Sequence, residues 1–111
     1  VAETQVFHGG VAITTCPQVK TDAQLICAQV ADQLLTIRDV KASFVVGRNI
    51  DEKTVISARS LGDVNVQLIM EKFGGGGHLT TAAAQVEDSI QETVQKIMEI
   101  MEVKKDDSNL E

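Results

Sequence analysis

Four of the chain's eight glycines stand side by side at positions 74–77, between Phe73 and His78. No other feature restricts the fold as much. Glycine loses more backbone entropy on folding than any other residue and brings no side chain to pack. Such a run is kept as a flexible linker, as an overrun helix end, or because backbone N–H groups must come very close to an anion. Linkers mix serine and other polar residues with glycine. This run instead lies between an apolar helical segment and the small-residue cluster Ala82-Ala83-Ala84, inside what reads as one domain. The pattern favours close backbone approach to an anionic ligand, phosphate being the common one.

The 111 residues suit a single domain, and 43% hydrophobic residues suffice for a real core. Trp and Tyr are absent, and Phe7, Phe44 and Phe73 are the only aromatics, so the core is aliphatic. The net charge of −6 argues against a wide non-specific nucleic-acid surface, though not against one local anion site. Cys16 and Cys27 stand in no metal-ligand spacing and are expected as reduced thiols. No apolar run approaches the roughly 20 residues of a membrane span, and no signal peptide is visible. The chain starts at Val1 without methionine and is expected to be part of a larger protein. Residues 1–103 read as the domain and 104–111 as a polar tail, with Leu110-Glu111 expected to be a vector remnant.

Thr4–His8 and Val11–Cys16 read as strands around Gly9-Gly10, with Pro17 ending the second and His8 exposed at the turn. Thr21 and Gln24 fit a capping box. The spacing of Ala23, Ile26, Cys27, Val30, Leu34 and Ile37 predicts a helix over 22–37 with that face in the core. Ala42–Gly47 reads as an interior strand and Arg48–Lys53 as a turn. In the strand Thr54–Ser60, Val55, Ser57 and Arg59 share one face, while Ile56, Ala58 and Ser60 share the other. Asp63 is the expected cap of a helix that buries Val66, Ile69, Met70 and Phe73 and ends at Gly74. Ala82–Val86 reads as a tight strand. A last helix opens with the box Ser89/Glu92 and buries Ile90, Val94, Ile97, Met98 and Met101. The fold class is α/β: a single domain, a mixed sheet of about five strands with helices packed on it, in the order β-β-α-β-β-α-β-α.

Three features could meet at an anion: the Gly74–Gly77 backbone, His78, and Ser57-Ala58-Arg59-Ser60. An arginine on a strand can grip phosphate with a planar fork of donors. The plainer reading of Arg59 is a surface ion pair of little energetic weight. Ser57 and Ser60 carry little information alone. His78 could donate to a phosphate oxygen, act as a general acid or stack on a base; the plainer reading is a loop histidine bonded to backbone.

The run Gly74-Gly75-Gly76-Gly77-His78 with Ala82-Ala83, and Ser57-Ala58-Arg59-Ser60 upstream, resembles the DHHA1 domain of the DHH/DHHA1 phosphoesterases. The resemblance covers the whole chain. The glycine-histidine motif carries it and the serine–arginine strand supports it. The four glycines, the Leu79-Thr80-Thr81 spacer and the acidic composition are most similar to the membrane-anchored bacterial cyclic-di-AMP phosphodiesterases, the GdpP type. Nano-RNA phosphodiesterases, RecJ exonucleases and the C-terminal part of alanyl-tRNA synthetases are further members.

The resemblance implies a division of labour. An upstream DHH domain would hold manganese and activate water. This domain would bind the nucleotide, with Gly75, Gly76 and Gly77 at phosphate or base, His78 assisting at the scissile phosphate and Arg59 pairing with phosphate. Ser57, Ser60 and Gly74 complete the expected binding set. This chain has only two histidines and no Asp-His-His string, so no turnover is expected from it alone. The implied partners are a cyclic dinucleotide or short oligonucleotide and a DHH domain of the same chain, with homodimerisation of the parent among the expectations. The implied location is the cytoplasmic face of the cell membrane, without direct membrane contact by this domain. The alternative is a nucleic-acid-binding module of a RecJ-like or nano-RNA-degrading exonuclease, disfavoured by the acidic pI and the lack of aromatic stacking surfaces.

Overall fold

A computed structural model describes residues 3–7 and 9–103. His8 and the tail 104–111, with Leu110 and Glu111, lie outside the described residues. Six strands and three helices follow in the order β1 (Glu3–Phe7), β2 (Val11–Lys20), α1 (Ala23–Leu34), β3 (Ala42–Asn49), β4 (Thr54–Ser60), α2 (Val66–Glu71), β5 (Gly76–Gly77), β6 (Thr81–Val86) and α3 (Ile90–Met101). They form one mixed sheet of order β1-β2-β3-β4-β6-β5. Among the described strands only β2 and β3 run parallel, and α1 makes the crossover between them.

The sheet is covered on both faces, which explains the unbroken apolar run of β3. Phe44 and Val46 point to the side of α2 and α3, where Phe7, Ile13, Ile56, Ala58, Val66, Met70 and Ile97 build the larger core. Val45 points the other way and joins Val55, Ala23, Cys27, Ala31 and Leu34 beneath α1. Period-two alternation thus splits one hydrophobic string between two cores.

Among the described residues the strand count is six, because Gly76-Gly77 pairs with Ala83-Ala82 as a two-residue edge strand. Glycine is a poor strand former, so local sequence does not signal it. Pro17 does not end β2. The pairing with β3 slips between Cys16 and Val19, and the bulge absorbs the missing proline N–H. Arg48 and Asn49 belong to β3, and the turn narrows to 50–53, where Asn49 Oδ1 accepts from the N–H groups of Asp51 and Lys53.

Helix starts differ from the expected caps twice. Asp22 stands at the head of α1 without a side-chain cap bond, and the helix stops at Leu34, leaving Ile37 45% exposed. For α2 the cap is Asn65, whose side chain accepts from Leu68 N–H, while Asp63 pairs with Lys41. The Ser89/Glu92 capping box of α3 forms in both directions. Phe73 and the stripe of Ile90, Val94, Ile97, Met98 and Met101 pack on the larger core as expected.

Cys16 and Cys27 are free thiols. Cys27 Sγ lies 2.8 Å from where a Cβ on Gly47 would sit, so the missing side chain of Gly47 makes room for it. Burial, then the neighbouring Cys16, push the Cys27 thiol up to about 12. No helix among the described residues is long and apolar enough to cross a membrane.

A candidate nucleotide groove between the first helix and the glycine loop

Helix α1 packs on β2, β3 and β4, and α2 packs on β4, β5 and β6. The small side chain of Ala83 on β6 and the bare backbone of β5 leave a low shelf beside α1. A groove of about 290 Å³ opens there, lined by Gln24 and Ala28 of α1, Ser57 and Arg59 of β4, Gly76, Gly77 and His78, and Thr81 to Ala83. Strand register assembles it. Ser57 pairs with Ala83, which pairs with Gly76, so one row runs across three strands from the hydroxyl to the glycine loop. Arg59 pairs with Thr81 in a neighbouring row.

The four glycines have four different surroundings. Gly74 has φ +82 and open space around it, and its N–H donates to Glu71 O at the end of α2. Gly75 donates to Met70 O, and a Cβ there would overlap Ala83 O and the Ala84 Cβ. Gly77 has φ +147, and a Cβ would overlap Thr81 O and Ala82. Gly76 has neither a left-handed φ nor any atom within 4 Å of a Cβ position. Folding therefore accounts for Gly74, Gly75 and Gly77. Only Gly76 is left without a reason inside the protein, and it lines the groove.

The amide hydrogens of Gly74 and Gly75 are thus engaged at the helix end and cannot cradle an anion. His78 and Thr81 exchange both backbone hydrogen bonds, so by antiparallel alternation Gly76 is bonded to Ala83 in the ladder, and the amide left for an anion is that of Gly77. Ser60 is also placed elsewhere. It points to the opposite face, 4% exposed, and its Oγ accepts from Gly62 N–H at 2.8 Å and Val64 N–H at 3.3 Å, holding the turn into α2. Ser57, Arg59, Gly76, Gly77 and His78 do come together. His78 sits exposed at a tight turn whose backbone N–H donates to Thr81 O at 2.6 Å.

Ser57 is fully buried, and its Oγ accepts from Gln24 Nε2 at 2.9 Å. Arg59 Nε donates to Asp32 Oδ1 at 2.8 Å and Nη1 donates to Ala58 O at 3.0 Å, with the arginine side chain 14% exposed. The ion-pair reading of Arg59 is therefore realised, and it coexists with a place on the groove wall. Sequence reasoning missed Gln24, Ala28 and Asp32 as neighbours of the site. Their spacing of four marks a stripe of α1 beside the apolar face, but nothing local shows that it meets β4.

Among the described residues no three His, Cys, Asp or Glu side chains are grouped to hold a metal ion. His78 shares the groove with a guanidinium, hydroxyls and backbone, a donor set for an anion and not for a cation. A larger groove of about 340 Å³ lies between the end of α2 and α3. Its Lys96 is held by Asp88, whose hydrogen bond and charge push the ammonium upward in pKa. It contains no residue of the glycine motif.

The DHHA1 domain family matches residues 9–103. The chain is 52% identical over 100 residues, 89% of its length, to the cyclic-di-AMP phosphodiesterase GdpP of Geobacillus thermodenitrificans. It is 48% identical over 88 residues, 79% of its length, to the cyclic-di-AMP phosphodiesterase PdeA of Listeria monocytogenes. It spans only 15% and 13% of those two proteins. Among solved structures, an exopolyphosphatase-related protein from Bacteroides fragilis shares the fold with a TM-score of 0.70 at 20% identity, over 84% of this chain and 28% of that one.

Proposed function

Since this chain belongs to the DHHA1 domain family, we propose that it is the substrate-binding domain of a phosphodiesterase that hydrolyses cyclic-di-AMP to pApA. The observation that carries this is Gly76: a bare backbone position that folding does not require, set in a groove with Arg59, Ser57 and His78. A side chain at that point would stand where a ligand could otherwise lie. The two relatives above are named for the same substrate and match this chain at 52% and 48% identity.

In this reading the Gly76-Gly77 backbone approaches a phosphate or base, Arg59 supplies charge-assisted hydrogen bonds to a phosphate oxygen, and His78 donates at the rim near the scissile bond. A groove of about 290 Å³ is at the small end for ligand sites and suits one nucleoside monophosphate half of the dinucleotide. The other half, the manganese and the attacking water belong to a DHH domain of the same protein, which lies at the cytoplasmic face of the membrane.

The test is steady-state kinetics with cyclic-di-AMP in the full-length protein. Gly76→Ala and His78→Ala should each reduce kcat/KM at least about tenfold while melting like the parent. Unchanged kcat/KM in both would show the groove to be a structural feature only. Titration of this chain with cyclic-di-AMP, pApA and a short single-stranded oligonucleotide gives the second arm. Preference for the oligonucleotide would replace this reading with the exonuclease module.

A further inference from the structure

Gln24, Ala28 and Asp32 lie four residues apart on α1 and so form one stripe along the helix. That stripe meets β4 at the two side chains β4 sends into the groove. Gln24 Nε2 donates to Ser57 Oγ, Ala28 forms the wall between, and Asp32 Oδ1 accepts from Arg59 Nε. The helix therefore reaches Arg59 through one residue, Asp32.

The guanidinium has five N–H donors. One is on Asp32 and one on Ala58 O. These two anchors hold the planar group from the Nε side and from the β4 backbone. The N–H groups left over belong to Nη1 and Nη2, the pair that grips an oxyanion as a fork. The Asp32 carboxylate itself is 65% exposed, so the pair contributes little to stability. An unanchored arginine would lose much rotamer freedom each time it met a phosphate. One already fixed on the groove wall has lost it before binding.

We infer that Asp32 is a positioning residue of this groove: it presets Arg59 so that the remaining guanidinium N–H groups meet the phosphate of the bound nucleotide. This rests on the reading of the groove as a phosphate-binding site. The opposite behaviour is physically available, because an exposed carboxylate could compete with phosphate for the same guanidinium and repel it. The sign of the Asp32 effect decides between them.

The experiment uses the full-length phosphodiesterase with cyclic-di-AMP at fixed ionic strength, and the variants Arg59→Ala, Asp32→Ala, Asp32→Glu and Asp32→Ala/Arg59→Ala. Arg59→Ala should lower kcat/KM at least about tenfold, as loss of a charge-assisted hydrogen bond does. Asp32→Ala should raise KM about fivefold with kcat changed less than about twofold, and with an unshifted melt. Asp32→Glu should restore most of the loss. The double variant should be no worse than Arg59→Ala alone, since Asp32 acts only through Arg59. If Arg59→Ala is impaired but Asp32→Ala keeps or lowers KM, positioning by Asp32 is wrong while the groove reading survives. Positioning is equally wrong if the Asp32→Ala loss persists in the Arg59→Ala background. If Arg59→Ala and Gly76→Ala are both silent in well-folded protein, the groove reading falls and this inference with it.

Discussion

At the scale of residues, the glycine run separates folding from binding position by position. Gly77 combines φ +147 with overlap against the β6 backbone, so Gly77→Ala must displace the loop. Strain of this kind costs about 1–3 kcal/mol, and at about 4–8 °C per kcal/mol for a domain of this size the melt should drop visibly. Gly74→Ala has only its left-handed φ against it and should cost about 1 kcal/mol. Gly76→Ala meets nothing and should melt like the parent or slightly higher, while losing ligand. Thermal melts on all three variants give the ranking; a large drop for Gly76→Ala would mean that folding requires that glycine after all. Cys27 offers a second residue-level test. Its thiol is pushed from the ordinary 9.0 to about 12 in the folded protein. A raised folded value means the stabilisation is complete below pH 9 and is lost as pH climbs towards 12. Stability should therefore fall more steeply above pH 9 in the parent than in Cys27→Ala, and Cys27 should resist alkylation at pH 8 until the protein unfolds.

Elements show which local signals are sufficient. Ser89 and Glu92 satisfy each other's backbone partners within a single turn, so the sequence pattern needs nothing distant to be correct. Ser89→Ala should cost about 1 kcal/mol, while Glu92→Gln, which preserves the box, should be close to neutral in denaturant unfolding. Asp63 is a reasonable cap for α2 by spacing, yet Lys41 takes its carboxylate and Asn65 caps instead. Where the β4–α2 turn brings the chain decides which of the two caps. Ser60 fixes that turn with two backbone N–H groups. Ser60→Ala should thus lower stability by about 1–2 kcal/mol and leave KM for cyclic-di-AMP unchanged. A selective rise in KM would return Ser60 to the binding set.

For the whole molecule, covering a six-stranded sheet with α1 on one face and α2 and α3 on the other decides where ligand can enter. Helix α1 covers the middle strands, and the bare shelf of β6 and β5 remains beside it. The chain carries a net charge of −6, so binding should depend on one local donor cluster and not on a broad positive field. Cyclic-di-AMP affinity should fall only weakly between 50 and 200 mM salt, by a log–log slope nearer about 1 than the several units of a multi-phosphate contact surface. A steep slope with an oligonucleotide would mark a nucleic-acid module. Without grouped metal ligands among its described residues, the isolated chain should not cleave cyclic-di-AMP with or without manganese; single-turnover cleavage by purified chain would contradict that.

The sequence by itself determined most elements, the alternation that sends Arg59 and Ser57 to one face of β4, and the place of the glycine run and His78 between the second helix and the last strand. These are properties of neighbouring residues, set by periodicity of 2 or 3.6 and by glycine chemistry. It also carried the family resemblance. Only the tertiary structure decided that Ser60 serves a turn, that the Gly75 amide is engaged at the helix end which Gly74 already marked in the sequence, and that Gly76 and Gly77 become an edge strand. It alone joined Gln24 to Ser57, 33 residues apart, and Asp32 to Arg59, 27 apart. The physical reason is that a hydrogen bond between distant residues depends on sheet register and on where a crossover helix comes to rest. Neither leaves a mark in the local pattern of either segment.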